Sequence, residues 1–116
     1  MRYEVTVKPM RKARHWMIVE GFGYAGVKLP HGFKTDGCSV PMGLRWRFKH
    51  GGDKFAAACM HDFLYYSGLH SKERADRIFY ELMRANGVGE HDAKMMYYAV
   101  KYFGFIAWNN HRRNEA

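Results

Sequence analysis

Two hydrophobic periods divide the chain. Over residues 2–8, apolar Tyr3, Val5 and Val7 alternate with polar Arg2, Glu4, Thr6 and Lys8, which predicts a half-buried strand. Residues 15–20 and 24–29, separated by Gly21-Phe22-Gly23, predict further strands joined by a glycine-containing turn. Pro30-His31-Gly32-Phe33 breaks the pattern, and Thr35-Asp36-Gly37-Cys38-Ser39-Val40-Pro41 is rich in turn formers. Residues 1–50 therefore predict a small antiparallel β region that ends in an irregular basic loop.

Beyond residue 53 the period becomes helical. A first helix is predicted from Asp53, a candidate N-cap after Gly51-Gly52, to Ser67-Gly68. Ser71 caps a second, with acid at Glu73 and Asp76 in its first turns and a stop at Asn86-Gly87. A third is predicted from Gly89-Glu90-His91 to about Asn110. Met95, Met96, Tyr97, Ala99, Val100, Tyr102, Phe103, Ile106, Ala107 and Trp108 cover most of its circumference, and Lys94, Tyr98, Lys101 and Phe105 form a narrow wetter stripe. Such a helix is expected to be the least exposed element, central to the fold or covered by a partner. Gly104 would let another backbone approach it. The fold class is α+β: a small N-terminal antiparallel β region packed on a C-terminal three-helix unit (residues 53–110), in a single domain over residues 1–116.

Composition narrows the functions. A chain of 116 residues can bury one real core. No window holds the ~18 uncharged apolar residues of a membrane span, and the alternating N-terminus does not read as a secretory signal peptide. Cys38 and Cys59 sit among small or apolar neighbours and read as buried thiols rather than a disulfide framework. The net charge of +8, with basic clusters at Lys8–Arg14, Arg45–Lys54 and Arg112-Arg113, favours acidic partners. Nucleic acid, anionic lipid head groups and an acidic protein face all qualify, and a merely solvated basic surface is the plainer alternative. No helix-turn-helix, zinc finger, oligonucleotide-binding motif or phosphate-cradling glycine loop is present.

One segment points to chemistry. Ala56-Ala57-Ala58-Cys59-Met60-His61-Asp62-Phe63-Leu64-Tyr65-Tyr66 sets a His-Asp pair in an apolar, small-residue helix. Burying such groups is costly unless they are paired, hydrogen-bonded or metal-bound. His61 and Asp62 diverge by about 100° on a helix, so one cannot simply orient the other. In an antiparallel hairpin, however, Asp76 stands level with His61. Its carboxylate would fix the imidazole tautomer and leave the other nitrogen as a base. Tyr65 lies one turn from His61. Asp62 would face elsewhere, free to bind a cation, and Asp36 with its loop carbonyls could complete a calcium site. The plain alternatives are a hydrogen-bonded core histidine, a first-turn helix charge at Asp76, and an ordinary Asx turn at Asp36.

Two resemblances rest on these segments. Pro30 to Pro41, Ala57 to Tyr65, Ala75 to Phe79 and Met96 to Trp108 occur in the order of four blocks, a TDxxS loop, an AAxxHDxLY helix, an ADxxF helix and an MYxAVxxFGxxAW helix. In this the chain resembles an uncharacterised domain family of tailed phages and prophages. That resemblance implies a virion-associated structural protein of tail, neck or capsid, found in the virion or host cytoplasm. It would bind other virion proteins or itself.

The helix pair is also similar to the His-Asp core of secreted phospholipases, through Cys59, His61, Asp62, Tyr65 and Asp76. That resemblance implies His61 as general base, Asp76 as its orienting group and Asp62 as a calcium ligand. The disulfide framework and glycine-rich calcium loop of those enzymes have no recognisable counterpart here. The expected functions are thus a virion component and, alternatively, a calcium-assisted hydrolase of an ester or amide in lipid or cell envelope.

Overall fold

The computed structural model describes residues 2–11, 15–35 and 54–114. Antiparallel strands come first and helices follow, as the two periods require. Strands β1 (Thr6–Pro9), β2 (Trp16–Glu20) and β5 (Lys34–Thr35) form one antiparallel sheet in the order β1-β2-β5. Val7 pairs with Ile18 and Trp16 with Thr35. The first strand begins later than its alternation predicts, because residues ahead of Thr6 bond elsewhere. The Tyr3 amide donates to Asn86 Oδ1 at 2.8 Å, and Asn86 Nδ2 donates back to the Tyr3 carbonyl at 2.9 Å.

Residues 24–29 are not one strand. β3 (Gly23–Tyr24) and β4 (Val27–Lys28) form a hairpin, turned by Ala25 at φ 51° and Gly26 at φ 79°. A two-residue turn with both central φ values positive matches the right-handed twist of the flanking strands. Ala25 gives little sequence warning of it, since few non-glycine residues adopt that conformation. Gly21 is required by close approach: a Cβ there would lie 2.2 Å from the Leu29 carbonyl oxygen.

Four helices follow: α1 (Phe55–Ser67), α2 (Lys72–Ala85), α3 (Glu90–Phe103) and α4 (Phe105–Asn114). The expected N-cap Asp53 lies outside the described residues, and Lys54 precedes the first helical residue. Gly68 ends α1 in the left-handed conformation, and Ser71 Oγ accepts from the Arg74 amide at 3.1 Å to cap α2, both as the sequence indicates. The third predicted helix divides at Gly104 into α3 and α4. Its place in the fold also differs from expectation. Of α3 only Ala93, Met96 and Val100 are buried, a narrow seam at helical spacing. The least exposed helix is α1, whose small Ala56-Ala57-Ala58 run lets neighbours close in and which buries everything from Phe55 through His61, with Leu64 and Tyr65. Tyr98 and Tyr102 account for part of the third predicted helix's exposure, because a tyrosine ring counts as apolar in a pattern while its hydroxyl favours a wet edge; Phe103 and Ile106 are exposed as well, on the face expected to be covered by a partner.

The core joins Ile18, Val27 and Leu29 of the β region to Leu64, Ile78, Phe79, Leu82 and Met83 of the α1–α2 pair and to Met96 of α3. Asn86, 4 % exposed, is the polar rivet between the two parts. We predict that Asn86→Ala lowers unfolding free energy by about 1–3 kcal/mol, since it strands the Tyr3 amide and carbonyl together. Chemical denaturation would measure this; a loss within error would show that those groups find other partners.

Candidate functional site

The site grows from the α1–α2 hairpin. Gly68 reverses the chain, Ser71 starts α2, and His61 and Asp76 come level across the pair. His61 Nε2 lies 2.8 Å from Asp76 Oδ1, so the pairing expected from their matched heights is present. Tyr65, one turn beyond His61, donates its hydroxyl to the same Oδ1 at 2.7 Å. The other carboxylate oxygen accepts from Lys72 Nζ at 2.8 Å, one turn back on α2. The same ammonium donates to the Val100 carbonyl at 2.9 Å and to that of Lys101 at 3.2 Å, at the end of α3. His61 and Asp76 are 1 % and 2 % exposed. The imidazole packs between the rings of Tyr65 and Phe79, at centroid distances of 4.2 and 4.7 Å.

The electrostatics follow from this packing. Burial alone would raise the Asp76 pKa. The hydrogen bond and charge of His61, with the hydrogen bonds of Lys72 and Tyr65, outweigh it and hold the carboxyl below its ordinary value. The Tyr65 phenol is pushed far up, by burial first and then by the Asp76 charge, so it stays a neutral donor. Burial likewise raises the Cys59 thiol, with the Asp62 charge adding to it, which makes this cysteine an inert core residue rather than a nucleophile. With Asp76 ionised, Nε2 of a neutral His61 carries the hydrogen and Nδ1 holds the lone pair.

Asp62 faces another way, as its helical offset requires. Its Oδ2 accepts from Thr35 Oγ1 of β5 at 2.7 Å, which ties the helices to the sheet. Asp36, its expected companion for calcium, lies outside the described residues, as does Cys38. Among the described residues no group of three or more His, Cys, Asp or Glu side chains is placed to hold a metal ion. The described donors therefore do not by themselves make a calcium shell, which needs six to eight oxygens.

Lys72 went unread in the sequence, and Thr35 and Gly104 were read for other roles. Lys72 sits four residues before Asp76, a helical ion-pair spacing that could have flagged it. Thr35 was read as the first residue of the loop expected beside Asp62, and its own hydroxyl makes the contact. Gly104 was read as making room for a backbone, but what approaches is Tyr65: a Cβ at 104 would lie 2.5 Å from the Tyr65 hydroxyl and equally close to the Val100 carbonyl. Behind Tyr65, Trp108 of α4 packs edge-on at 5.3 Å. Arg112 donates to the Tyr65 and Tyr66 carbonyls at 2.8 and 3.0 Å, closing the C-terminus of α1.

This arrangement belongs to a family without an assigned activity. Residues 10–100 match the model described as "Protein of unknown function (DUF1353)", and the chain belongs to that family. The uncharacterized protein y4iH of Sinorhizobium fredii (strain NBRC 101917 / NGR234) is 30% identical over 103 residues, which covers 79% of this chain and 41% of that protein. The uncharacterized protein y4jT of the same strain is 35% identical over 79 residues, 66% of this chain and 23% of that protein. The chain thus spans less than half the length of either relative. No solved structure matches.

Two outcomes test the geometry. Tyr65→Phe removes one donor from Asp76 and is predicted to cost about 1 kcal/mol. Gly104→Ala forces a side chain into the Tyr65 hydroxyl and the Val100 carbonyl and is predicted to cost more, about 1–3 kcal/mol. Thermal melts of both would invert that order if Tyr65 were loosely held. The depressed Asp76 pKa also fixes a sign. The unfolded chain binds the proton more readily, so the contribution of Asp76 is complete above about pH 4 and is lost as pH falls through its lower folded value. Asp76→Asn is predicted to flatten that acid limb in denaturation curves taken across pH.

Proposed function

We propose that this domain hydrolyses an ester or amide bond in a lipid or cell-envelope substrate, with His61 as general base. The observation that carries the reading is the buried His61–Asp76–Tyr65 relay, held at 2.8 and 2.7 Å. A core histidine can be satisfied by one backbone carbonyl. Here an ionised carboxylate is kept in the interior by three donors, all aimed so that Asp76 orients one imidazole nitrogen and leaves the other as a base. The similarity of Cys59, His61, Asp62, Tyr65 and Asp76 to the secreted phospholipase core supports the same roles.

In the proposed step, Nδ1 takes a proton from water while the water oxygen bonds to the scissile carbonyl carbon. The carbonyl electron pair moves to its oxygen. Asp76 steadies the imidazolium without itself taking the proton. On collapse the pair returns, the bond to the leaving alkoxide or amine breaks, and Nδ1 returns its proton to that group. Tyr65 is a positioning residue in this scheme, since it touches Asp76 rather than the reacting atoms. Asp62, joined by Asp36, is the proposed contact for calcium should it bind. Because His61 is 1 % exposed, substrate meets Nδ1 only when the packing around the ring opens.

A second reading has its own observation. Tyr102, Phe103 and Ile106 are 60 %, 62 % and 61 % exposed at the α3–α4 junction. Exposed aromatic and aliphatic side chains of this size mark partner surfaces when they cluster. Together with the resemblance to the phage and prophage family, they support a virion-associated structural protein that binds neighbouring subunits or a second copy of itself. The His61 network would then be a stabilising core.

One comparison separates the readings. Wild type and His61→Ala are assayed on phospholipid and peptidoglycan panels, with calcium and with chelator. The hydrolase reading predicts turnover by the wild type and a loss of about 10²–10⁴-fold in the variant. It also predicts that a phenacyl halide alkylates His61 in the folded protein. Absence of wild-type turnover and of alkylation, with a strongly destabilised His61→Ala, would leave the virion reading. Asp62→Asn is predicted to abolish any rise in melting temperature that calcium produces.

A further inference from the structure

The α2–α3 pair carries a row of tyrosines of which the second reading uses Tyr102 alone. Tyr80, Tyr97, Tyr98 and Tyr102 follow one another with ring centroids 5.8, 5.3 and 6.2 Å apart. Tyr98 and Tyr102 are 48 % and 60 % exposed. One cation lies against three of them. Lys101 Nζ lies 5.9 Å from the Tyr97 and Tyr98 centroids and 5.6 Å from that of Tyr102. Arg77 joins Tyr80, Lys94, Tyr97 and Tyr98 around an adjoining groove of ≈ 370 Å³. Glu81 on its rim is engaged by the Tyr24 hydroxyl at 2.8 Å and Arg74 at 3.7 Å, and Lys94 by Glu90 at 3.0 Å. Among the described residues no carboxylate pairs with Arg77 or Lys101.

Tyr80 packs against the core, whereas Tyr98 and Tyr102 stand exposed. The α3 core seam is Ala93, Met96 and Val100, and the tyrosines stand beside it. Exposed rings stack with planar π-systems, and cations without a carboxylate partner beside them take up negative charge spaced along a chain. The net charge of +8 would draw such a chain in from a distance. We propose that this face binds single-stranded nucleic acid, with bases stacked on Tyr98 and Tyr102 and phosphates at Lys101 and Arg77. An acidic protein or an anionic membrane would also neutralise the cations. The strand is favoured because exposed rings and cations share one face, the combination that stacks bases and holds phosphates together. The proposal does not depend on the hydrolase reading, since His61 and Asp76 lie inside the α1–α2 pair.

The test is fluorescence anisotropy of a labelled oligothymidylate with the full chain over a range of salt. An abasic strand of equal length and anionic phosphatidylglycerol vesicles form parallel arms. The expected result is tighter binding of oligothymidylate than of the abasic strand. Tyr98→Ala combined with Tyr102→Ala should weaken it by about tenfold or more, as loss of base stacking does. Lys101→Gln should reduce the slope of log affinity against log salt by about 0.7, the contribution of one phosphate contact on a single strand. Unchanged melting temperatures would show that these exposed substitutions leave the fold intact. Equal affinity for the abasic strand, indifference to the tyrosine changes, binding to vesicles alone, or no binding to any probe would each overturn the proposal.

Discussion

A charged carboxylate in the interior is the constraint around which the helices are arranged. Asp76 is 2 % exposed and stays ionised. An uncompensated buried charge would cost several kcal/mol or more, so its partners must be held in place by the fold. Each partner fixes a different piece. His61 and Tyr65 set the register of α1 on α2, because both reach one oxygen from successive turns. Lys72 reaches the other oxygen and spends its remaining hydrogens on the last carbonyls of α3, so the same ion pair docks the end of a third helix. Loss of Asp76 would thus loosen two helix contacts at once. That coupling is why the deletion of one partner says little about the worth of any single bond.

The partition of roles on α1 follows from helical geometry. His61 and Asp62 are adjacent and must diverge, so the helix uses one to face α2 and the other to face β5. The inner face receives the titratable couple and the outer face receives a hydroxyl from the sheet. An acid-base couple and a half-buried carboxylate therefore sit on two sides of one rigid element. Mutations of the two need not resemble each other in effect.

Much of this was legible because it rests on local rules. Ser71 and Gly68 mark their helix ends by chemistry that acts within a few residues. The pairing of His61 with Asp76 follows once the hairpin between them is accepted. What was not legible depends on a turn without its usual residues, on partners distant in sequence, or on packing. Residues 24–29 alternate like a strand, yet they turn at Ala25-Gly26, and the Leu29 carbonyl comes within reach of Gly21. The capture of Tyr3 by Asn86, more than eighty positions away, moves the start of β1. The exchange of centre between α1 and α3 has a compositional cause. Alanine scores as weakly apolar and tyrosine as strongly so, but close packing rewards the small side chain and leaves the phenol at the surface.

Gly104 shows how a position can be recognised as special and still be misread. Its lack of a side chain was visible against the apolar run of residues 95–108, and close approach was the correct inference. The approaching group is a polar atom, the Tyr65 hydroxyl, on its way to Asp76. A side chain at 104 would have to displace either that hydroxyl or the Val100 carbonyl, and the same carbonyl already accepts from Lys72. Glycine there lets the backbone run on: the Gly104 amide donates to the Val100 carbonyl at 2.8 Å, the Trp108 amide donates to the Gly104 carbonyl at 3.0 Å, and Trp108 lies against the Tyr65 ring. The Tyr65 ring thus joins a buried carboxylate on α2, by its hydroxyl, to the first turn of α4, by its contact with Trp108, and the absence of a side chain at 104 leaves room for it.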